Sequence, residues 1–352
     1  MTDVRIGLVG YGFGGRYFHA PLIASAAGCH FLGIVTRDPD RRRQAEAEYP
    51  RQRVYRDLAE LHADGAEAVS ISTPAATHAA LARQALDLGL AVVVDKPFAM
   101  NADDGEAVIA YAAAAGRPLT VYQNRRWDSD FRTLCRLVAD GDLGQIRRFE
   151  SRFEKFRPES GPRVAGGGAL LDLGSHLVDQ ALQLLGPVSS VYAEGHQRDT
   201  GLDDDVFLAL THHSGAVSHL WASWLQGAPG PRLRVTGATG SFVVEDIDGQ
   251  EALLLAGESP ASLGAAWGLE PQQRWGTLHR GSSVEAVPAE PGGWNTFYPA
   301  FAAAVRGVGP VPVDPADAVA ALRVIDTARA LALPHLAAPG VPAHGASRLP
   351  SG

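Results

Sequence analysis

The side chains best suited to move a proton belong to two separate motifs. In the first, Lys96 follows an apolar run and lies between Asp95 and Pro97. A lysine at the carboxyl end of a parallel strand can exchange a proton with a substrate hydroxyl when burial or positive charge lowers its pKa. An X–Pro bond is the one peptide bond for which the cis form is cheap, so we predict a cis Lys96–Pro97 bond.

The second motif spans 166–179 and opens with three glycines. Asp172 and His176 are four residues apart, so a helix over 170–185 would place them on one face. The carboxylate would then orient the imidazole and stabilise its charged form. The alternative interpretation is an aspartate that caps a helix and a buried histidine with satisfied hydrogen bonds. The presence of Lys96 favours the catalytic interpretation.

A glycine-rich turn near the start of the chain is suited to bind a dinucleotide. Gly10, Gly12 and Gly15 fit G-x-G-x-x-G after a short apolar run. In such a turn the first glycine permits the bend, the second lets pyrophosphate approach the backbone, and the third lets helix and strand pack closely. The following helix offers free N–H groups and its positive dipole end to the phosphates. The motif is weak alone, but a strand before it and a helix after it are the required context.

The residues after the second apolar run bear on which dinucleotide is bound. This run ends in Thr36, Arg37 and Asp38. Enzymes that use NAD place an acidic residue at this strand end to bind the ribose 2′-OH, whereas a 2′-phosphate favours arginine. Because Thr36 and Arg37 come first, we favour NADP over NAD. The arginine run at 41–43 could assist in binding a 2′-phosphate, but a solvated helix face is the favoured interpretation.

These residues need a parallel sheet whose strands end at one edge. Short apolar runs separated by alanine-rich helical stretches predict a doubly wound α/β sheet; the runs lie at 4–9, 31–35, 68–72, 91–94 and 119–122. After residue 123 the alternation changes to period 2, which predicts an α+β region with a mostly antiparallel or mixed sheet that has one open face. We therefore predict a Rossmann domain at 1–122, an α+β substrate and oligomerisation domain at 123–335, and a mobile tail at 336–352.

The composition excludes several classes of function. The formal net charge of -8 gives no broad attraction to nucleic acid or anionic lipid. Two cysteines cannot build a disulfide framework, and we expect no metal site. No apolar run approaches the roughly 20 residues needed to span a membrane, and no signal peptide is visible, so we expect a cytoplasmic protein.

Together these motifs resemble the Gfo/Idh/MocA oxidoreductase family, over residues 4 to about 330. The resemblance rests on the glycine turn, Ser72-Thr73-Pro74 with His78, the lysine motif and the 166–179 motif. It implies a Rossmann domain plus an α+β domain with a large open sheet, and hydride transfer between a nicotinamide cofactor and a sugar, cyclitol or related polyol or keto compound. Segments 121–128 and 156–159 resemble the NADP-dependent scyllo-inositol dehydrogenase-like branch, which again favours NADP.

The resemblance also implies roles for individual residues. The catalytic set is Lys96, Asp172 and His176. The cofactor-binding candidates are Gly10, Gly12, Phe13, Gly14, Gly15, Thr36, Arg37, Thr73, Pro74, His78, Asp95, Lys96 and Arg126. The substrate-binding candidates are Lys96, Asn124, Trp127, Asp172 and His176. The substrate is expected to be a small polyol or keto-sugar. We expect a homodimer or homotetramer, because an open sheet face would otherwise expose apolar surface.

Two other functions stay open. Some enzymes of this architecture use tightly bound NAD for a transient oxidation within glycoside cleavage or epimerisation, and they show no net change in NADPH absorbance. A non-catalytic dinucleotide-sensing protein is the second alternative. It should have lost Lys96 or His176, and both are present.

Overall fold

The computed structural model describes residues 2–162 and 167–332, which form two β-sheets with helices packed against them. Gly166, the first residue of the second sequence motif, lies outside the described residues. The tail predicted at 336–352 lies outside them too. None of the helices in the described part is long and apolar enough to cross a membrane.

The first sheet has six parallel strands in the order β3-β2-β1-β4-β5-β6. The strands are β1 (Val4–Val9), β2 (Cys29–Val35), β3 (Arg53–Tyr55), β4 (Ala68–Ile71), β5 (Ala91–Asp95) and β6 (Leu119–Tyr122). The predicted doubly wound sheet is confirmed. The strand order reverses between β1 and β4, and sheets of this kind bind ligands in the crevice at that point. The three-residue β3 was not predicted, because it is too short to show an apolar run.

Three of the five helices of this first part begin at a residue whose side chain caps them. They are α1 (Ala20–Ala24), α2 (Pro39–Glu48), α3 (Leu58–Ala63), α4 (His78–Asp87) and α5 (Ala102–Ala115). Asp38, Asp57 and Asn101 accept backbone N–H groups at the starts of α2, α3 and α5. Gly116 ends α5 at a φ of 60°, in the left-handed region that favours glycine.

The second sheet has eight strands in the order β14-β13-β12-β11-β7-β10-β9-β8. They are β7 (Ile146–Glu154), β8 (Val188–Gln197), β9 (Asp203–His212), β10 (Val217–Ser223), β11 (Leu233–Gly237), β12 (Ser241–Val244), β13 (Gly276–Arg280) and β14 (Ser283–Val287). All neighbours pair antiparallel except β7 and β10, which are parallel. The predicted mixed, mostly antiparallel sheet is confirmed.

The helices after β6 cover one face of the second sheet and reach back to the first. They are α6 (Ser129–Ala139), α7 (Ala169–Asp172), α8 (Gly174–Leu185), α9 (Gln250–Leu255), α10 (Pro260–Leu263), α11 (Phe297–Val305) and α12 (Pro315–Ala332). Helices α8 and α12 contact strands of the second sheet, and α12 also contacts α5. Trp294, Phe297 and Phe301 share a core with Ile6 and Leu8 of β1. The end of the described chain therefore packs on both sheets.

Candidate active site

Lys96 and Asp172 join the two parts of the molecule. Lys96 directly follows β5, and its bond to Pro97 is cis, as predicted. Its Nζ donates to Asp172 Oδ1 at 2.5 Å and to the Asp172 carbonyl oxygen at 2.9 Å. The two side chains are 18% and 20% exposed, so the ion pair is largely shielded from water yet open on one side. The pair therefore fixes an ammonium group at the carboxyl edge of the first sheet.

His176 is buried next to this pair and is uncharged. Burial lowers its pKa well below the usual value, and the positive charges of Lys96 and Arg125 lower it further. Its Nδ1 has no hydrogen-bond partner among the described residues. A neutral imidazole beside an ammonium group provides one proton acceptor and one proton donor.

The predicted pairing of Asp172 with His176 is wrong. The expected single helix over 170–185 is interrupted at Leu173, so Asp172 ends α7 and His176 lies in α8. Asp172 binds Lys96 instead, and it does not stabilise a charged imidazole. The i, i+4 rule applies only within one continuous helix, and the break removes it.

Asp95 anchors the backbone on which Lys96 is carried. Its Oδ1 accepts the Lys96 N–H at 2.8 Å, and its Oδ2 accepts the Ser72 hydroxyl at 2.8 Å. His19 Nε2 lies 3.1 Å from Oδ2, at ion-pair distance, and the other ring nitrogen of His19 is 2.5 Å from the Tyr298 hydroxyl. Burial alone would raise the pKa of Asp95, but His19 and Lys96 lower it to about 2. Asp95 is therefore a buried carboxylate that holds the lysine turn in place.

The glycine turn has the shape that a dinucleotide requires. A Cβ on Gly10, whose φ is 97°, would lie 2.3 Å from the Ser72 carbonyl oxygen, and a Cβ on Gly15 would lie 2.1 Å from the Gly10 carbonyl oxygen. A Cβ on Gly14 would lie 2.6 Å from Ser72 Oγ. Over Gly12, by contrast, the nearest atoms are 3.9 Å away. The turn is closed on the protein side and open over Gly12, so the backbone there fits a pyrophosphate.

The helix that follows this turn begins with a π-helical turn, Gly15–His19, before α1. Phe13 lies at the outer side of the turn, 38% exposed, and packs on Tyr17 and Phe18 with ring centroids 5.3 and 5.4 Å apart. Phe13 thus forms part of the wall beside the glycine turn.

Near the end of β2 lies an arginine to which the sequence interpretation gave little weight. Thr36 is buried and Arg37 is exposed, while one oxygen of Asp38 caps α2 by accepting the N–H groups of Asp40 and Arg41 at 2.9 and 3.1 Å. The guanidinium carbon of Arg41 lies 3.9 Å from the Cβ position of Gly12. Arg41 is 49% exposed, as a solvated helix face requires, and its head group also borders the open side of the turn. The neighbouring arginines conform to that interpretation: Arg42 pairs with Glu46 and Arg43 with Asp40.

His78 and Arg126 both form hydrogen bonds with protein partners. His78 is buried, with its two ring nitrogens 2.8 and 2.9 Å from the carbonyl oxygens of Pro97 and Thr73. Arg126 forms two hydrogen bonds with Asp179, at 2.8 and 2.5 Å, and a third with Asp317 at 2.9 Å. These contacts give both residues a structural role, and their cofactor roles stay predictions. His78 joins the turns after β4 and β5, and Arg126 joins α8 to α12.

The remaining predicted residues lie at the turns that follow β4 and β6. The hydroxyls of Thr73 and Thr77 are 2.7 Å apart at the turn after β4, and Pro74 is exposed there. Asn124 is buried in the turn after β6. Trp127 packs edge-on against Phe297 with ring centroids 5.7 Å apart, so much of its ring belongs to the core.

Comparison with known families places both parts of the chain in one group. Residues 4–123 match an oxidoreductase family with an NAD-binding Rossmann fold, GFO/IDH/MocA, and residues 131–243 match the GFO/IDH/MocA C-terminal domain. The two matches cover the lysine motif and the motif of Asp172 and His176.

Individual relatives extend along nearly the whole chain. The uncharacterized oxidoreductase YdgJ of Escherichia coli is 35% identical over 344 residues, which cover 93% of this chain and 96% of that one. The scyllo-inositol 2-dehydrogenase (NADP(+)) IolW of Bacillus subtilis is 32% identical over 339 residues, 93% of each chain. A solved structure of the putative oxidoreductase yvaA from Bacillus subtilis superposes with a TM-score of 0.87 at 30% identity, covering 95% of this chain and 97% of that one.

Proposed function

This chain belongs to the Gfo/Idh/MocA family and is an NAD(P)-binding oxidoreductase, and we propose that it transfers a hydride between NADP(H) and a CH–OH carbon of a sugar, cyclitol or related polyol. The observation that carries the proposal is the Lys96–Asp172 ion pair beside a neutral His176, at the end of β5. The relative named for scyllo-inositol and NADP supports both the substrate class and the cofactor.

Residues of this chain donate or accept the proton that accompanies the hydride. When bound, the nicotinamide supplies the carbon that accepts or donates the hydride. The ammonium group of Lys96 donates to the Asp172 carboxylate on one side. On its other side, the ammonium group is available to a substrate oxygen. In reduction Lys96 donates a proton to that oxygen. In oxidation, His176 and Lys96 share the proton that the hydroxyl releases.

The cofactor preference is proposed from the residues at the end of β2. Asp38, the acidic residue nearest the strand end, uses one oxygen to cap α2 and has the other 3.8 Å from Arg41 Nε. Thr36, Arg37 and Arg41 remain to meet the ribose, and two guanidinium groups suit a 2′-phosphate better than a 2′-OH. We propose that Gly10, Gly12, Gly14 and Gly15 hold the pyrophosphate.

We also propose that the enzyme is a homodimer or a dimer of dimers that associates through the uncovered face of the second sheet. That face carries an aromatic cluster: Tyr192, Phe207, His219 and Trp221. Tyr192 is 56% exposed. Large exposed apolar patches are typical of protein interfaces.

A spectrophotometric screen tests the proposed function. Cyclitols, aldoses and their keto forms are offered with NADP(H) and with NAD(H), and we expect a net change in NADPH absorbance with at least one polyol or keto compound. Substitution of Lys96 with methionine should lower kcat by about 10²–10⁴-fold, because the positioned proton donor is lost. NADPH affinity, measured by fluorescence titration, should change much less. Unchanged turnover in Lys96→Met refutes the assignment, and turnover without net NADPH change supports internally recycled NAD instead.

A further inference from the structure

The chain is almost devoid of lysine. Of its 31 basic residues of the lysine and arginine type, only Lys96 and Lys155 are lysines. Lys96 is the proton donor proposed above. Lys155 directly follows β7 and has no role in the proposed function. Because nearly all other basic residues of this chain are arginines, a lysine indicates a position that needs a compact ammonium group rather than a positive charge alone.

The ammonium group of Lys155 lies over two aromatic rings and next to one carboxylate. Its Nζ lies 4.9 Å from the ring centre of Phe153 and 5.4 Å from that of Trp224. The nearest carboxylate oxygen, Oε1 of Glu251, is 3.8 Å away, beyond hydrogen-bond distance. The side chain is 32% exposed. Within the described ranges 2–162 and 167–332, Nζ donates no hydrogen bond. Its three N–H groups are therefore available to a ligand.

Lys155 lies near the Lys96–Asp172 pair and His176. The Phe153 ring beneath its ammonium group also lies against His176, with ring centres 6.1 Å apart. Burial lowers the pKa of Lys155, and the charges of Asp172 and Lys96 act on that pKa as well. Lys155 in turn helps to lower the pKa of His176. The second lysine is thus electrostatically coupled to every member of the proposed catalytic set.

Trp224 and Glu251 flank the ammonium group of Lys155. Trp224 Nε1 is buried and has no hydrogen-bond partner among the described residues. Glu251 accepts Arg125 Nη2 at 2.5 Å through Oε2, and its Oε1 lies 3.8 Å from Lys155 Nζ. A hydroxyl would offer a donor as well as an acceptor, whereas a carboxylate only accepts. The local chemistry therefore favours a ligand with acceptor oxygens and a negative charge.

We infer that Lys155 binds a carboxylate on the substrate, so that the preferred substrate is a sugar acid or another polyol acid rather than a neutral polyol. The inference rests on the proposed function and specifies its substrate class. The Arg125 guanidinium already lies over the Phe153 ring, 4.5 Å from the ring centre. The second cation at this ring must therefore be small, and the compact ammonium group of Lys155 fits. A singly charged carboxylate is favoured over a phosphate dianion, because Glu251 would repel the second charge.

Paired substrates give the kinetic test. Hexoses and the corresponding hexuronates, such as galactose with galacturonate and glucose with glucuronate, differ only in the C6 group. We expect the wild type to favour the acids in kcat/KM by about 10- to 100-fold, the usual range for a hydrogen bond to a charged group. Lys155→Met should lose this preference, and Lys155→Arg should keep part of it. The matched control is Arg147→Met, which removes one charge from the far end of β7, about 26 Å away along the strand.

An acid-to-neutral ratio that is the same in the wild type and in Lys155→Met overturns the inference. So does a wild type that turns over the neutral hexoses without preferring any acid.

A binding measurement tests this inference independently of the proposed function. Reductive methylation with ¹³C-formaldehyde labels only Lys96, Lys155 and the N-terminus, and the Lys155→Arg variant assigns the Lys155 signal. We expect galacturonate or glucuronate, added with NADP⁺ present, to shift the Lys155 signal, and the neutral hexoses to shift it much less. Carboxylate binding without any turnover would contradict the proposed function alone. Hexose turnover with a Lys155 signal that no uronate moves would contradict the Lys155 assignment alone.

Discussion

Lys96 and His176 are held in opposite protonation states within one small volume. Lys96 donates to a carboxylate, while burial and the surrounding cations keep the imidazole of His176 neutral. Lys96 can therefore donate a proton, and His176 can accept one. The arrangement lowers stability at acidic pH, because a histidine whose pKa is lowered in the folded state binds a proton more readily in the unfolded chain.

The stability of the protein should therefore respond to pH through His176. Its folded-state pKa lies well below the unfolded value of 6.5, so the unfolded state binds more protons as the pH falls below 6.5. We expect the free energy of unfolding of the wild type to fall, relative to His176→Gln, by up to about 1.4 kcal/mol per pH unit between pH 6.5 and 5. Urea denaturation of both proteins at pH 7.5, 6.5 and 5.5 measures this. Parallel pH curves would show that His176 is charged in the folded protein.

Arg41 should distinguish NADP from NAD. Its guanidinium borders the open side of the glycine turn, whereas Arg43, two residues along the same helix, is an exposed residue paired with Asp40. We expect Arg41→Ala to weaken NADPH binding about 10- to 100-fold, the loss of one or two charge-assisted hydrogen bonds, and to affect NADH much less. Arg43→Ala is the matched control and should leave both affinities near the wild-type values. Fluorescence titration gives the four dissociation constants, and an equal loss for both dinucleotides in Arg41→Ala would contradict the role.

At the scale of elements, the glycine turn separates a folding requirement from a binding requirement. A Cβ at Gly15 would lie 2.1 Å from a backbone oxygen, which cannot move aside, while a Cβ at Gly12 meets nothing closer than 3.9 Å. We expect Gly15→Ala to cost more than about 3 kcal/mol of stability and Gly12→Ala to cost less than about 1 kcal/mol. Gly12→Ala should nevertheless lose most of its affinity for the dinucleotide, because the added methyl occupies the phosphate side. Thermal unfolding and NADPH titration of both variants check this, and a Gly12→Ala protein that binds normally would place the pyrophosphate elsewhere.

Features that depend on local residue type and spacing could be predicted from the sequence. The doubly wound parallel sheet, the glycine turn and the cis Lys96–Pro97 bond are of this kind. The break at Leu173 could not be predicted, because a strongly apolar stretch that is periodic on both sides hides a single turn residue. Lys155 was missed and Arg41 was given little weight, since their importance depends on where long side chains reach in three dimensions. A signal for Lys155 was nevertheless present in the composition, as one of two lysines.

At the scale of the whole molecule, the site exists only because the two sheets are held together. Lys96 comes from the edge of the first sheet and Asp172 from a helix on the second. Core packing of Trp294 and Phe297 against β1, and the contact of α12 with α5, fix the two parts relative to each other. The arrangement explains why the polypeptide returns to the first sheet after building the second.

The uncovered face of the second sheet should set the oligomeric state. Phe207 lies at the centre of its aromatic cluster, with ring centres 5.1 Å from Trp221 and 6.5 Å from Tyr192. A stable homodimer buries roughly 800 Å² on each partner, and a charge at the middle of such an interface has no compensating partner. We expect Phe207→Glu to convert the wild-type oligomer to a monomer in light scattering coupled to gel filtration. Val308→Glu, at a site 62% exposed and away from this sheet, is the control and should leave the mass unchanged. A Phe207→Glu protein that keeps the wild-type mass would place the interface on another surface.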